Sequence, residues 1–377
     1  MSTAHANTTS GWRSDWTGKY ADANTVHEWS KDSNISWKTA TPNWSNALPI
    51  VVGDKIFICS EPADLLCIDK KKGTVLWQKS YISDEEKKGK APKAHGVTGY
   101  SSPTPVSDGK NIYVVSGYGT VACFDMAGTR LWFKKINNPS HKWGTCVSPV
   151  IADDKVIVHI SPKVTALALK DGKEVWQMDS KGTWGSPLLV SVGKEKALYL
   201  NTGDFINAAT GELISKNVKL PWSSPVTDGK AIYIVDAKGA YALEIPEKIT
   251  KGETLKQLWS LPVEGARKNR YYASPVVHEG LIYAITRKGH FFAIDITKGT
   301  LAYSKDLNMG GTTYPSILLS GKNLFVSSDS GKTTVVAAGK TYKEVGVNYL
   351  DKFRSTPIID DNKIYIRALN HLYCIGK

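Results

Sequence analysis

Aromatic and cationic side chains gather in the stretches that separate short apolar runs. In chain order they are Asn43-Trp44; a long segment from Ser80 to Tyr100 with His95; and His141-Lys142-Trp143. Lys181 with Trp184 follows, then Trp222, then Arg267-Lys268-Asn269-Arg270-Tyr271-Tyr272, Tyr314 and Lys352-Phe353-Arg354. Indole and phenol faces stack on sugar rings, and a guanidinium grips a carboxylate or sulfate through two parallel hydrogen bonds. Trp44, His95, Trp143, Trp184, Trp222 and Tyr314 are therefore the candidate ligand-binding residues. A lyase reading draws on the same set. β-Elimination from a uronate needs a proton shuttle, which Tyr271 or Tyr272 with His141 would supply. It also needs a neutraliser of the carboxylate, which Arg270 or Arg354 would supply. For Trp143, Trp184 and Trp222 the other reading is packing inside the fold. For His95 and His141 it is a structural hydrogen bond. Arg270 and Arg354 favour ligand or channel contact, because a guanidinium aimed inward needs an anionic or carbonyl partner.

Common catalytic signatures are missing. There is no P-loop, no GxGxxG after a strand, no GxSxG and no HExxH. Five cysteines rule out a fully paired disulfide framework. No CxxC pair and no Cys/His cluster has zinc spacing, so no metal site is expected. Cys67, Cys123 and Cys374 share a small-residue slot with Ala166 and Ala293, a packing position. Cys59 and Cys67 fall on one hairpin, and whether they are bonded stays open. The net charge of +13 favours anionic partners. The alternative is that the lysines only keep the surface soluble. No arginine-rich run accompanies the charge, so nucleic acid is not expected. No apolar run is long enough to cross a bilayer. No leader is visible, so export would imply one removed before this sequence begins. A monomer is expected.

These residues need a frame, and the frame is a repeat. Ser101 to Lys135 reads as four short strands: an apolar opening, a turn at Ser107-Asp108-Gly109-Lys110, a run Asn111–Val115, a Gly turn, a run Thr120–Phe124, and a last run carrying Leu131-Trp132. Units of this kind begin near Leu48, Ser101, Ser148, Ser186, Ser224, Ser274, Tyr314 and Ser355. Four antiparallel strands about every forty residues predict a β-propeller blade, and the chain predicts eight. The last unit has three strands, while residues 35–41 near the start form a spare one. Pairing that strand with Leu372–Ile375 closes the ring and removes its open edges. The predicted fold is all-β: an arm over 1–34 lying along the ring, and one eight-bladed domain over 35–377, with blade 8 built from 355–377 and 35–41. The recurring tryptophans of the fourth strands are expected to dock between blades. Propeller geometry puts the loops leading into each inner strand on one face, and whether the candidates above converge there stays open.

LLCIDKKKGTVLW, FFAIDITKGTLAY, ALALKDGKEVW and ACFDMAGTRLW carry variants of A/C-x-D-x-x-x-G-x-x-x-W. This pattern resembles the PQQ-like β-propeller repeat of quinoprotein alcohol dehydrogenases and BamB-like proteins. The opening GWRSDWTGKYADA and WKTATPNWSNALPIVVGDKIFICSE are similar to exported PQQ-like repeat proteins of planctomycete type. The resemblance implies a periplasmic or secreted binding or scaffold propeller, taking an anionic polysaccharide, or an extended peptide or protein partner, on its upper face. It keeps a polysaccharide lyase as the alternative. It disfavours PQQ and Ca²⁺ as cofactors, because no Cys-Cys dipeptide and no convergent carboxylate group accompany the repeat.

Overall fold

The computed structural model describes residues 10–84, 95–140, 143–182, 184–263 and 270–377. Every named element is a strand, and the strands form eight sheets. Each blade is built on four antiparallel strands; blade 1 runs outward through Ile50–Val52, Lys55–Ser60, Asp64–Asp69 and Val75–Ser80. Second and third strands are buried on both faces, whereas outer strands are largely exposed. Sequence explains the corners. In blade 2 the Asp108 carboxylate accepts from the N–H groups of Lys110 and Asn111 at 2.9 and 2.7 Å and from Tyr113 Oη at 3.0 Å. Asp228 repeats the arrangement in blade 5. An aspartate that satisfies the turn's own donors makes the corner without a ladder. Among the described residues no helix is long and apolar enough to cross a membrane.

The ring closes as the repeat count requires. Strand Ile35–Ala40 pairs antiparallel with His371–Ile375, setting Trp37 opposite Cys374 and Ala40 opposite His371. Blade 8 is thus completed by the start of the chain. All eight outer strands also carry a register shift just before the position that holds Trp in most blades. An extra residue there bends the edge away from straight pairing, which guards eight exposed edges against association.

The outer-strand tryptophans dock forward onto the next blade. Trp37, Trp77, Trp132, Trp176 and Trp259 donate their indole N–H to the carbonyls of Lys70, Met126, Leu169, Ala208 and Ile296. The remaining junctions are filled by other parts of the chain. Between blades 4 and 5 the charged insertion folds back: Gly252 N–H donates to Ile214 O at 2.8 Å, and Leu255 joins the buried cluster there. Between blades 6 and 7, Tyr303 meets Tyr342 edge-on at 6.1 Å. Between blades 7 and 8, Gly346 stands where the indole would be. Trp29 of the arm stacks on Phe325 at 5.7 Å instead, inside the blade 7–8 cluster.

The arm packs on the blades and reaches from blade 2 to blades 6 and 7. Ser10 bridges to Ser107 of blade 2. The fully buried Arg13 donates to Pro275 O and Ile317 O of blades 6 and 7, at 2.8 and 2.6 Å. Lys19–Tyr20 then adds a parallel strand inside blade 7. A guanidinium bonded to two carbonyls of these blades pins the arm, and burial lowers its pKa to about 10. All five cysteines are free, so Cys59 and Cys67 are not bonded.

Candidate functional site

At the axis of the ring, with Trp12 of the arm in its lining, lies a cavity of about 560 Å³. Its wall begins with a collar built from one position per blade. Leu48 N–H donates to Thr104 Oγ1, Thr104 N–H to Ser148 Oγ, and so on through Ser186, Ser224, Ser274 and Ser316 to Thr356 Oγ1. All seven bonds measure 2.8–3.1 Å. The hydroxyl of the Ser or Thr just before Pro, or in blade 7 of Ser316 just after Pro315, thus ties blades 2 to 8 each to the preceding blade at the axis. Blade 1 brings Leu48 and no hydroxyl, so the collar is open between blades 8 and 1. In blade 2 the collar slot belongs to Thr104, ahead of Pro105-Val106, and not to Ser102. Trp12 of the arm packs with Leu48 and forms the floor.

Above the collar the cavity brings together Trp143, Trp184, Trp222, Tyr272, Tyr314, Arg270 and Arg354, on loops leading into blades 3 to 8. The rings form a partly stacked arc. Trp143 meets Trp184 edge-on at 5.8 Å, and Tyr272 lies flat on Tyr314 at 5.1 Å. Both guanidiniums are held over indoles: Arg270 over Trp222 at 5.1 Å, Arg354 over Trp44 at 5.7 Å. Arg270 Nη1 is 3.4 Å from Tyr272 Oη, and Arg354 Nη1 donates to Val97 O at 3.2 Å. Neither forms an ion pair among the described residues. On the lower face lysines are compensated, as where Lys70 meets Asp360 and Asp361 at 2.5 and 2.7 Å and Lys196 meets Asp153 at 2.5 Å.

The other candidates lie elsewhere. Trp44 supports Arg354 and is not part of the lining. His95 stacks on Trp143 at 3.3 Å, and its Nδ1 accepts from Val97 N–H, so it buttresses the rim from behind. Tyr271, expected as a proton shuttle, is 1% exposed and packs edge-on against Phe292 in the blade 5–6 core. Burial pushes its pKa up, out of reach of neutral-pH proton transfer. Its neighbour Tyr272 takes the alternate side of the chain and faces the cavity. His141 lies outside the described residues.

The long loop before blade 2 is anchored at its end by Glu61. The buried carboxylate accepts from the N–H groups of Tyr100 and Ser101 and from Ser101 Oγ, at 2.6–3.0 Å. Burial raises its pKa, and these bonds oppose the rise. Tyr314 is likewise pushed up, first by burial, then by Tyr272 and Asp329, with Arg354 and Arg287 pulling the other way.

Sequence reasoning missed three parts of the site: the hydroxyl collar, the Trp12 floor and Cys146 in the wall. The Ser-Pro repetition marks where each blade begins, and nothing in its spacing shows that the hydroxyls bond from blade to blade. Burial pushes the Cys146 thiol up to about 12, so it is a wall atom and not a nucleophile. The described lining contains no Asp, Glu or His. No group of three or more potential metal ligands occurs among the described residues. A calcium-bound quinone needs convergent oxygen ligands, and these residues do not fit one.

A family model described as outer membrane protein assembly factor BamB matches residues 5–247 and 163–376. A protein of that description from Moranella endobia (strain PCIT) is 26% identical over 229 residues, which are 55% of this chain and 58% of that protein. The match therefore spans less than two thirds of that relative. The crystal structure of BamB from Moraxella catarrhalis superposes with a TM-score of 0.69 at 11% identity, over 91% of this chain and 99% of that one. Quinohemoprotein alcohol dehydrogenase from Comamonas testosteroni superposes with a TM-score of 0.63 at 12% identity, over 95% and 80%. At such identities the structural likeness is one of fold, which hosts unrelated activities. The family matches run together from residue 5 to residue 376 and cover all eight blades, and on that ground the chain belongs to the PQQ-like propeller family of the outer membrane protein assembly factor BamB.

Proposed function

We propose that this protein is a binding propeller of the bacterial envelope, and that its upper cavity takes a segment of an acidic polysaccharide. One observation carries the reading: an arc of indole and phenol rings and two guanidiniums without ion-pair partners among the described residues share one cavity whose described lining carries no carboxylate. Rings of this kind stack on sugars, and arginines preset over indoles lose little freedom on gripping a carboxylate. A catalytic reading finds less support. Tyr271 is in the core, and among the described lining residues only Tyr272, Tyr314 and Cys146 carry an ionisable proton besides the guanidiniums. Burial pushes Tyr314 and Cys146 up, away from acting as bases at neutral pH. The envelope location and the role as a scaffold rest on kinship with BamB.

The test is a titration with oligogalacturonate and with a neutral oligosaccharide of equal length, followed by tryptophan fluorescence and calorimetry. Binding should favour the acidic oligomer and weaken with salt. Arg270→Gln should remove most of that preference, and Trp184→Ala should weaken both ligands by roughly tenfold, as loss of one stacked ring does. Equal affinity for the two oligomers, or none for either, would refute the glycan reading and turn attention to extended peptides. Ultraviolet absorbance of an unsaturated product during the same titration would revive the lyase.

A further inference from the structure

We infer that the gap in the collar between blades 8 and 1 is a subsite for one carboxylate of the ligand, held by the Thr356 backbone N–H and the Arg354 guanidinium. The inference rests on the acidic-glycan reading and states where the acid group sits.

Seven collar N–H groups end on a neighbour's hydroxyl. The eighth, on Thr356, points toward the blade that brings Leu48, and it has no acceptor among the described residues. Thr356 is 3% exposed, yet both it and Leu48 line the cavity. A buried N–H left without a partner is rare and destabilising. Whatever satisfies this one arrives from the cavity side. Arg354 lies two residues earlier on the same segment and also lines the cavity. Its bond to Val97 O and its seat over Trp44 fix the plane while leaving other N–H donors unused. A fixed N–H and a fixed guanidinium from positions two apart on one segment, in a lining whose described residues carry no carboxylate, match an oxyanion. Charge-assisted bonds to one are stronger than neutral ones.

Leu48→Thr supplies the missing hydroxyl and closes the collar, whereas Leu48→Ala removes the same packing and leaves the N–H open. Full-length protein labelled with ¹⁵N-threonine, with the Thr356 amide identified through Thr356→Ser, is titrated with sodium acetate and with sodium methyl sulfate at constant ionic strength. Acetate should shift the Thr356 amide saturably in the parent and in Leu48→Ala. The response should weaken roughly tenfold or more in Leu48→Thr and in Arg354→Gln, the loss expected for one charge-assisted bond. An unmoved amide in the parent, or equal responses in Leu48→Thr and the parent, overturns the subsite. Methyl sulfate binding more tightly than acetate overturns its assignment to a carboxylate. The glycan reading is judged separately. If acetate saturates Thr356 but no oligogalacturonate binds, that reading fails and the subsite stands. If oligogalacturonate binds while Thr356 is silent to both probes, the reverse holds.

Discussion

The indole of Trp132 lies against the backbone of Gly172 in the next blade, and a Cβ built on that glycine would sit 2.6 Å from the ring. Gly172 also has a φ of 67°, in the left-handed region. Gly73, Gly128, Gly211 and Gly299 meet Trp37, Trp77, Trp176 and Trp259 in the same way. The repeat showed that Gly and Trp recur at fixed spacing. It did not show that each glycine serves the tryptophan of the preceding unit, because spacing within a unit says nothing about contacts between units. Gly172→Ala should destabilise by about 1–3 kcal/mol, the usual range for overpacking. Trp132→Ala should destabilise by about 3–5 kcal/mol, as truncated core aromatics do. Together they should cost less than their sum, since removing the ring makes room for the methyl. Denaturant melts of the four proteins decide this, and strict additivity would mean that the two residues do not constrain each other. The cavity lining was legible for a related reason. Trp143, Trp184, Trp222, Arg270 and Arg354 stand in loops whose face the topology dictates. Tyr271 and Tyr272 stand side by side, and which of two neighbours turns inward is a matter of one bond's direction.

At the scale of elements, the degenerate units are informative. The seventh outer strand has Gly346 in the indole slot, and its nearest neighbour there is the backbone carbonyl of His27, 3.8 Å from a built Cβ. The arm occupies that space: Trp29 N–H donates to Asn348 Oδ1 at 2.8 Å, and Asn348 Nδ2 donates to His27 O at 2.8 Å. The blade has no ring of its own in that slot, and a segment 319 positions earlier in the chain supplies one, a dependence no local pattern records. The insertion in blade 5 covers its neighbour's edge in the same manner, through Leu255. Trp29→Ala should therefore destabilise the propeller as much as loss of a repeat tryptophan, about 3–5 kcal/mol. It should also speed hydrogen exchange in the strands Asn323–Ser327 and Lys332–Ala337 before blade 2 responds. Equal acceleration in blades 2 and 7 would show that the arm is a loose tether and not part of the blade 7–8 core. The outer-strand bulges were hidden as well, because a bulge changes register without changing which residues are present.

For the whole molecule, the open question is what holds the two chain ends together, since a ring fails at its seam. The pairing of strand Ile35–Ala40 with the last strand was readable from the missing and spare strands alone. The clamp around Asp351 was not, because its members are scattered over 343 positions of sequence. Lys31 of the arm reaches one carboxylate oxygen at 2.8 Å, and Lys38 of the closing strand reaches the other at 3.4 Å. Tyr373 of the final strand donates to the same carboxylate, and His371 Nδ1 lies 3.5 Å away. Each pair alone is too exposed to contribute much, but the two lysine pairs bridge the seam, and Tyr373 and His371 hold the carboxylate in place on the C-terminal side. Lys31 and Tyr373, ahead of the lysine charges, hold the Asp351 pKa well below the usual carboxylate range. A carboxylate depressed by folding stabilises fully above its unfolded pKa, near 4, and that contribution disappears as the pH falls toward the folded value. Asp351→Asn should then lower stability by about 1 kcal/mol at pH 7, the upper end for exposed pairs. The difference from the parent should shrink steadily below pH 4. Denaturant midpoints of both proteins from pH 7 to pH 3 measure it. A gap that stays constant across that range would mean that the seam is held by strand pairing and the Trp37 dock, with Asp351 a bystander.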